Sequence, residues 1–119
     1  MRHVFAVIVL FAACKSNDSE RAKQQHDVAQ LTVEKYAFEA YPSWAQAHPD
    51  KQCPAKLAEL DEHMSSSNTG DPWGHPYAMK CGADLPKGAR GIAVYSLGED
   101  GKDGTCDDVQ SWDKDHACK

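Results

Sequence analysis

Apolar residues recur at spacings of three and four between Ser19 and about His48, the longest patterned segment of the chain. That spacing places them along one side of an α-helix, so the segment predicts a helix that is capped at Ser19 and covers one face of a sheet. Pro42 interrupts the pattern and predicts a kink or an early end of the helix. The apolar positions of this predicted stripe are Val28, Ala29, Leu31, Val33, Tyr36, Ala37, Phe38, Ala40, Tyr41 and Trp44.

The second half of the chain carries short apolar runs bounded by glycine and proline, which predict strands. Gly91–Leu97 is the strongest strand candidate, and His75–Cys81 and Asp108–Trp112 are weaker ones. Before them, Pro54–Met64 predicts a short helix with proline at its first position, and Ser65–Gly70 predicts a polar loop. A helix followed by strands indicates an α+β domain, in which the N-terminal helix packs on a small three-stranded antiparallel sheet.

The start of the chain has the pattern of a secretory signal rather than of a folded segment. Arg2 precedes an apolar run from Val4 to Ala13, which as a helix would reach roughly 15 Å, about half of a bilayer core. The Phe-Ala-Ala-Cys end of this run resembles a bacterial lipobox, in which Cys14 becomes the lipidated first residue of the mature protein. An ordinary signal peptide followed by an unmodified cysteine is the alternative.

The lipobox interpretation divides the chain into three parts. Residues 1–13 are predicted to be a lipoprotein signal peptide, residues 14–19 a lipidated tether, and residues 20–119 one domain, which suits a length of 119 residues. The domain would lie outside the cytoplasm, held to a membrane by the lipid on Cys14. Lys15 occupies the position where an aspartate favours inner-membrane retention in some bacteria, so the outer membrane is preferred.

Export makes the remaining cysteines candidates for disulfides, because extracytoplasmic thiols oxidise. Four cysteines can pair in three ways, and Cys53–Cys81 with Cys106–Cys118 is preferred because each bridge would join neighbouring segments. The alternative is a zinc site built from Cys106, His116 and Cys118, although no Cys-x-x-Cys pair supports it.

Charge and histidine placement exclude two classes of function. The formal net charge of −5, from 13 basic and 18 acidic residues, argues against a surface for nucleic acid or anionic lipid. The histidines are scattered, and no serine elbow, HExxH helix or spaced acid pair accompanies them, so we predict a protein that is not an enzyme. The histidines concerned are His26, His48, His63, His75 and His116.

The segment GDPWGHPY, Gly70–Tyr77, predicts a tight turn that leads into a strand. Asp71 can accept a backbone hydrogen bond, Pro72 presets the backbone for a turn, and Gly74 permits a positive φ. Trp73 is then predicted to enter the core. A well-built turn is by itself sufficient to explain this motif.

The segment SLGEDGKDGTCDDVQSW, Ser96–Trp112, holds five acidic residues and three glycines, as a cation-binding loop would. An EF-hand that starts at Glu99 would place Gly101 at its third position and Gln110 at its twelfth, and both fail as ligands. Calcium needs only about six to eight oxygens, and backbone carbonyls count among them. The loop is therefore a candidate calcium site of another kind, with a solvated acidic turn as the alternative.

Taken in order, DPWGHPY, VYSLGEDGKDG and DDVQSW closely resemble the C-terminal domain of type II secretion system protein G, the major pseudopilin. The helical segment DVAQLTVEKYAFEAY, Asp27–Tyr41, is also similar to that family, so the resemblance covers roughly Ala22–Trp112. It implies a helix packed on a small antiparallel sheet, a structural calcium ion in the loop of the acidic segment Ser96–Trp112, and secretion-apparatus proteins as partners.

The resemblance also implies which groups would bind the calcium ion. Cys106 stands where the family usually has glycine or a small polar residue. The later half of the loop therefore differs from the family pattern. The implied ligands are the carbonyl of Leu97, a carbonyl from Glu99 or Lys102, and the carboxylates of Asp100, Asp107 and Asp108.

The N-terminus differs from the family pattern. A pseudopilin begins with a prepilin peptidase site and about twenty apolar residues that span the membrane, and neither pattern precedes Cys14. We therefore interpret the chain as a pseudopilin-like head on a lipid anchor, which belongs to a secretion apparatus or derives from one. The alternative is a genuine pseudopilin component whose true start lies upstream of Met1.

Overall fold

Residues 9–47 form one long helical segment. A computed structural model describes the backbone of residues 9–64 and 70–119, and within these ranges it describes side chains from residue 18 onward. Helix α1 spans Val9–Lys35, a π-helical turn spans Tyr36–Ala40, and helix α2 spans Tyr41–Ala47. Ser19 lies inside α1 and does not cap it, so the predicted helix start at Ser19 is wrong.

The π-helical turn explains how the helix accommodates a proline. Pro42 has no N–H, and in a regular α-helix its ring would clash with the carbonyl of Phe38. The preceding turn is wider instead, with the N–H of Tyr41 donating to the carbonyl of Tyr36, five residues earlier. The helix therefore continues past Pro42 and ends at Ala47. The sequence predicts a kink or an early end at Pro42.

Three short strands form the antiparallel sheet that the sequence predicts. Strand β1 spans Ala78–Cys81, β2 spans Ile92–Ser96 and β3 spans Val109–Gln110, in the order β1-β2-β3. Both strand pairs are antiparallel, and the residue pairs Met79↔Val94 and Ser96↔Val109 give their register. Each strand is shorter than predicted; β1 begins only after Pro76, which has no N–H to donate to a ladder.

The core lies between the helical segment and strand β2, whose five residues are all buried. Three residues of the predicted apolar stripe lie outside this core: Val28, Leu31 and Phe38 are 53–58% exposed. The helical segment contributes a narrower face because a sheet of three short strands covers only one side of it. The helical residues of that face are Ala29, Val33, Tyr36, Ala37, Ala40 and Trp44.

The connector between the helices and the sheet is a 3-10 helix, Leu57–His63, that buries Leu60 completely. The carboxylate of Glu59 accepts the backbone N–H groups of Ala55 and Lys56 at 2.6 and 3.0 Å, and this fixes the start of the helix. The helix predicted from Pro54 therefore starts later and is tighter than expected. Of the predicted polar loop, residues 65–69 lie outside the described residues.

Two disulfides fasten irregular segments of the chain, one of them to the end of strand β1. Cys53 bonds to Cys81 and Cys106 bonds to Cys118, with Cα–Cα distances of 6.0 and 4.7 Å. The prediction of two disulfides is confirmed, and the zinc alternative is wrong because both of its sulfur ligands are bonded to each other. Among the described residues, no helix combines the length and the apolar character needed to cross a membrane.

Candidate metal centre

The turn at Asp71 is built around one buried carboxylate. Asp71 Oδ1 accepts the backbone N–H groups of Trp73 and His75 at 3.0 and 2.8 Å, and the N–H of Gly74 donates to the Asp71 carbonyl at 3.0 Å. Gly74 adopts the positive φ, 87°, that the sequence predicts. Trp73 is only partly buried and packs against the edge of the core rather than within it.

The same carboxylate ties the turn to the end of strand β2. Asp71 Oδ2 accepts the hydroxyl of Ser96 at 2.6 Å, and the Ser96 oxygen in turn accepts the N–H of Gly98 at 3.1 Å. Asp71 and Ser96 are 6% and 0% exposed, so this chain of hydrogen bonds is shielded from water. The turn also contacts the loop directly, because the His75 ring occupies the space next to Gly101.

The segment Leu97–Asp108, which we call the acidic loop, connects β2 to β3 and brings three carboxylates together. Asp100, Asp107 and Asp108 each offer one oxygen, and these oxygens lie within 4.8 Å of one another. Within the part of the chain that the structure describes, this is the one group of three or more such side chains that could hold a metal ion. Asp108 is buried, and Asp100 is exposed to solvent.

Backbone amides hold these carboxylates in place. Asp100 Oδ1 accepts the N–H of Lys102 at 2.9 Å, and Asp107 Oδ2 accepts the N–H of Asp100 at 3.0 Å. Asp108 Oδ2 accepts the N–H of Gly104 at 2.8 Å. The loop backbone itself therefore orients each of the three carboxylates.

Thr105 lies at the centre of the cluster, and its hydroxyl oxygen faces four acceptors. The nearest is Asp107 Oδ1 at 2.6 Å; the others, at 3.1–3.2 Å, are the Lys102 carbonyl and carboxylate oxygens of Asp100 and Asp108. A hydroxyl has one hydrogen and donates it to one acceptor at a time. The single O–H group of Thr105 therefore faces three carboxylates and one carbonyl. These oxygen atoms are the type of ligand that a hard divalent cation such as calcium prefers.

The electrostatic consequence is clearest at Asp108. Burial raises the pKa of this carboxyl group, and the nearby carboxylates of Asp103 and Asp107 add to the effect, against hydrogen bonds from Gly104 and Thr105. An aspartate with a raised pKa binds its proton more tightly in the folded state, so folding stability falls as the pH rises through that pKa. At neutral pH the ionised Asp108 therefore costs stability, and a bound cation would offset that cost.

Asp107 behaves in the opposite way. Burial acts to raise its pKa, but hydrogen bonds from the Thr105 hydroxyl and the Asp100 amide outweigh burial, so the pKa of Asp107 is lowered. Its carboxyl and carbonyl groups occupy the space that a Cβ on Gly98 would need, and Gly98 has a φ of 73°. Only glycine allows this approach, so Gly98 helps to place an ionised carboxylate in the cluster.

The outer part of the loop is anchored to the sheet by an aromatic residue. Tyr95 donates its hydroxyl to Asp103 at 2.8 Å, and the Trp112 ring lies edge-on to Tyr95 with a centroid distance of 5.9 Å. Burial, followed by the hydrogen bond to Asp103, raises the pKa of Tyr95, which keeps its proton at neutral pH. Neither the hydrogen bond from Tyr95 to Asp103 nor the role of Thr105 was predicted. For Thr105 the only signal in the sequence is a hydroxyl residue between acidic positions.

The predicted ligands are brought together to different extents. The three carboxylates meet, and the Lys102 carbonyl reaches the same Thr105 hydroxyl. Leu97 is half-buried and Glu99 is exposed at the start of the acidic loop, and their carbonyls remain predicted ligands. The side chain of Cys14, the predicted lipidation site, lies outside the described residues.

Comparison with known proteins decides the family. The family model for protein G of the type II secretion system (T2SS) matches residues 11–112. The chain belongs to this family. The core protein G of the type II secretion system from Aeromonas hydrophila is 26% identical over 128 aligned positions, which cover 92% of this chain and 87% of the relative. No solved structure matches the chain.

The family assignment agrees with the fold and sets the broad biological context. Protein G is a pseudopilin, a structural component that lies outside the cytoplasm and associates with other proteins of the secretion apparatus. The recognition made from the motifs DPWGHPY, VYSLGEDGKDG and DDVQSW is confirmed. The match begins at residue 11, before Cys14, so it includes part of the segment predicted to be a signal peptide.

Proposed function

We propose that this protein G family member is a non-enzymatic structural module of a type II secretion apparatus, or of a system derived from one, stabilised by calcium in the acidic loop. The observation that carries the proposal is the Thr105 hydroxyl, which faces four oxygens although it can donate to only one. The residues that would hold the ion are Leu97 and either Glu99 or Lys102 through carbonyls, and Asp100, Asp107 and Asp108 through carboxylates.

The position of the loop favours a structural role for the ion. The acidic loop joins β2 to β3, so an ion that holds its two ends would hold the edge strand of the sheet. When bound, calcium supplies positive charge among carboxylates that otherwise repel one another. Because only the folded chain brings Asp100, Asp107 and Asp108 together, binding adds directly to the free energy of unfolding.

Calcium is expected to raise the melting temperature of the protein. At a free concentration 100 times the Kd, a ligand adds about 2.7 kcal/mol to the free energy of unfolding, which for a domain of this size corresponds to roughly 10 °C or more. Differential scanning calorimetry with excess calcium and with a chelator measures the difference. An equal melting temperature in both conditions contradicts the calcium proposal.

Two variants sharpen this experiment. Asp108→Asn removes a charge whose ionisation costs stability, so the calcium-free melting temperature is expected to stay the same or rise while the calcium response decreases. Asp50→Asn is the matched control, because Asp50 is an exposed aspartate outside the acidic loop and its replacement should leave the response intact. A calcium response equal to that of the wild type in Asp108→Asn would place the ion elsewhere.

We further propose that the protein is anchored to a membrane, preferably the outer membrane, by lipid on Cys14 after removal of residues 1–13. The apolar run that ends in Ala-Ala-Cys supports this proposal. Intact-mass measurement on protein purified from membranes is expected to show loss of 13 residues, acyl chains on Cys14, and the loss of four thiol hydrogens. Cys14→Ser is the control, and a wild-type mass without acyl chains contradicts the anchor.

A second candidate is a pseudopilus subunit whose chain continues upstream of Met1. Two observations favour it: the family match begins at residue 11, and α1 continues across Cys14 from Val9 to Lys35. In this case Cys14 remains unmodified within a longer helix. Reading the coding sequence upstream for a prepilin peptidase motif separates the two candidates, because only the second requires one.

A further inference from the structure

The C-terminal tail, residues 113–119, is fastened to the acidic loop at two adjacent points. Cys118 forms the disulfide with Cys106, and Nε2 of His116 lies 3.1 Å from the carbonyl oxygen of Thr105, to which it can donate a hydrogen bond. Both contacts hold the loop between Gly104 and Asp108, where it carries most of the cluster. The tail therefore restrains the backbone on which the proposed calcium site is built.

The two points of attachment coincide with residues that organise the site. Thr105, whose carbonyl accepts from His116, places its hydroxyl among the carboxylates. Asp107 follows Cys106 directly and supplies one of those carboxylates. Reduction of the disulfide would free the backbone on both sides of Cys106. Ordering this segment would then cost conformational entropy when an ion binds, and the affinity for the ion would fall.

The two disulfides differ in their access to solvent. Cys53 and Cys81 are half-buried, and Cys81 packs against the core. Cys106 and Cys118 are both exposed, and they line an open cavity of about 240 Å³ together with Glu99 and Asp107. A thiol reductant therefore reaches the tail disulfide more readily than the disulfide at the core.

We propose that the Cys106–Cys118 disulfide is a redox-sensitive clip that sets the calcium affinity of the acidic loop, tight when oxidised and weak when reduced. This proposal rests on the proposed calcium function. The reductant is a dithiol, small or protein-borne. Its thiolate attacks one sulfur of the clip, which forms a mixed disulfide and releases one cysteine thiol. The second thiol of the reductant then attacks the mixed disulfide and releases the other cysteine thiol. Two electrons and two protons pass to Cys106 and Cys118, and the dithiol becomes a disulfide.

Linkage makes the effect reciprocal. If the oxidised clip favours calcium binding, then bound calcium favours the oxidised clip by the same factor. Calcium should therefore protect the Cys106–Cys118 disulfide against reduction while leaving Cys53–Cys81 unaffected to a first approximation. This second consequence can be measured on the wild-type chain without any substitution.

The affinity test compares the full wild-type chain, oxidised and in detergent, with the double variant Cys106→Ser/Cys118→Ser. Titration with calcium against a fluorescent chelator is expected to show a Kd about tenfold higher in the variant. Equal Kd values in the two proteins overturn the redox clip and leave the proposed function standing. Absence of calcium binding in both proteins overturns the proposed function together with the clip.

The reduction test remains informative where the double variant fails to fold. The wild-type chain is equilibrated at a fixed ratio of reduced to oxidised dithiothreitol in the presence of calcium or a chelator, and the released thiols are located by alkylation and peptide mass mapping. Calcium is expected to lower the extent of reduction of Cys106–Cys118 at equilibrium several-fold. An extent that is the same with calcium and with chelator, in protein that binds calcium, overturns the clip.

Discussion

Asp71→Ala is expected to lower the free energy of unfolding by about 3–5 kcal/mol, since each buried hydrogen-bonding group left without a partner costs about 1–3 kcal/mol. The substitution removes the acceptor for three donors: the N–H groups of Trp73 and His75, and the hydroxyl of Ser96. All three belong to the network between the turn and the end of β2. Urea denaturation followed by circular dichroism measures the loss.

The same substitution should also weaken the calcium response, because Ser96 passes the restraint on to Gly98 at the start of the acidic loop. Asp71→Asn is the matched control: its amide oxygen can still accept the N–H groups of the turn, and its NH₂ group can donate to the Ser96 oxygen. We expect it to lose less than half as much stability. An Asp71→Ala protein as stable as the wild type would show that the network does not support the fold.

Trp44→Ala is expected to cost about 3–5 kcal/mol of unfolding free energy, the range for removing a buried aromatic side chain from a core. Trp44 is 1% exposed and is among the largest fully buried side chains. Its ring stacks on His48 at a centroid distance of 4.6 Å and on Tyr41 at 6.0 Å. The small sheet offers few other large side chains that could move into the space.

The control for this prediction is Trp73→Ala, at the partly buried edge of the core, which should cost clearly less. The calcium response should also differ between the two variants. Trp44 lies on α2, outside the network of the acidic loop, so its loss should lower the melting temperature equally with calcium and with chelator. A larger loss of stability at Trp73 than at Trp44 would contradict this description of the core.

The local elements and their order followed from residue patterns alone. The strand at Ile92–Ser96 is predicted because consecutive apolar residues end in a glycine-rich turn, and the turn at Asp71 because Asp-Pro-Trp-Gly chemistry allows few other conformations. The disulfide pairing Cys53–Cys81 with Cys106–Cys118 followed from chain proximity. Each of these features depends on interactions within one segment or between neighbouring segments of the chain.

Other local features were not predicted because the spacing of residues in the sequence does not show what packs against them. Val28, Leu31 and Phe38 have the spacing of core residues, yet whether they are buried depends on the width of the sheet opposite them. The π-helical turn at Tyr36–Ala40 reflects the packing that keeps the chain helical through Pro42, where propensity alone predicts a break.

Residue patterns and motifs are sufficient to predict a pseudopilin-type α+β domain with an acidic loop, and to name the three carboxylates of that loop. The convergence of Asp100, Asp107 and Asp108 on Thr105, and the attachment of the tail beside them, became visible only in the folded chain. Composition gives the number of charges, whereas a metal site requires a few oxygens at defined distances. Those distances depend on backbone amides, on Gly98, and on a turn that comes more than twenty residues earlier in the chain.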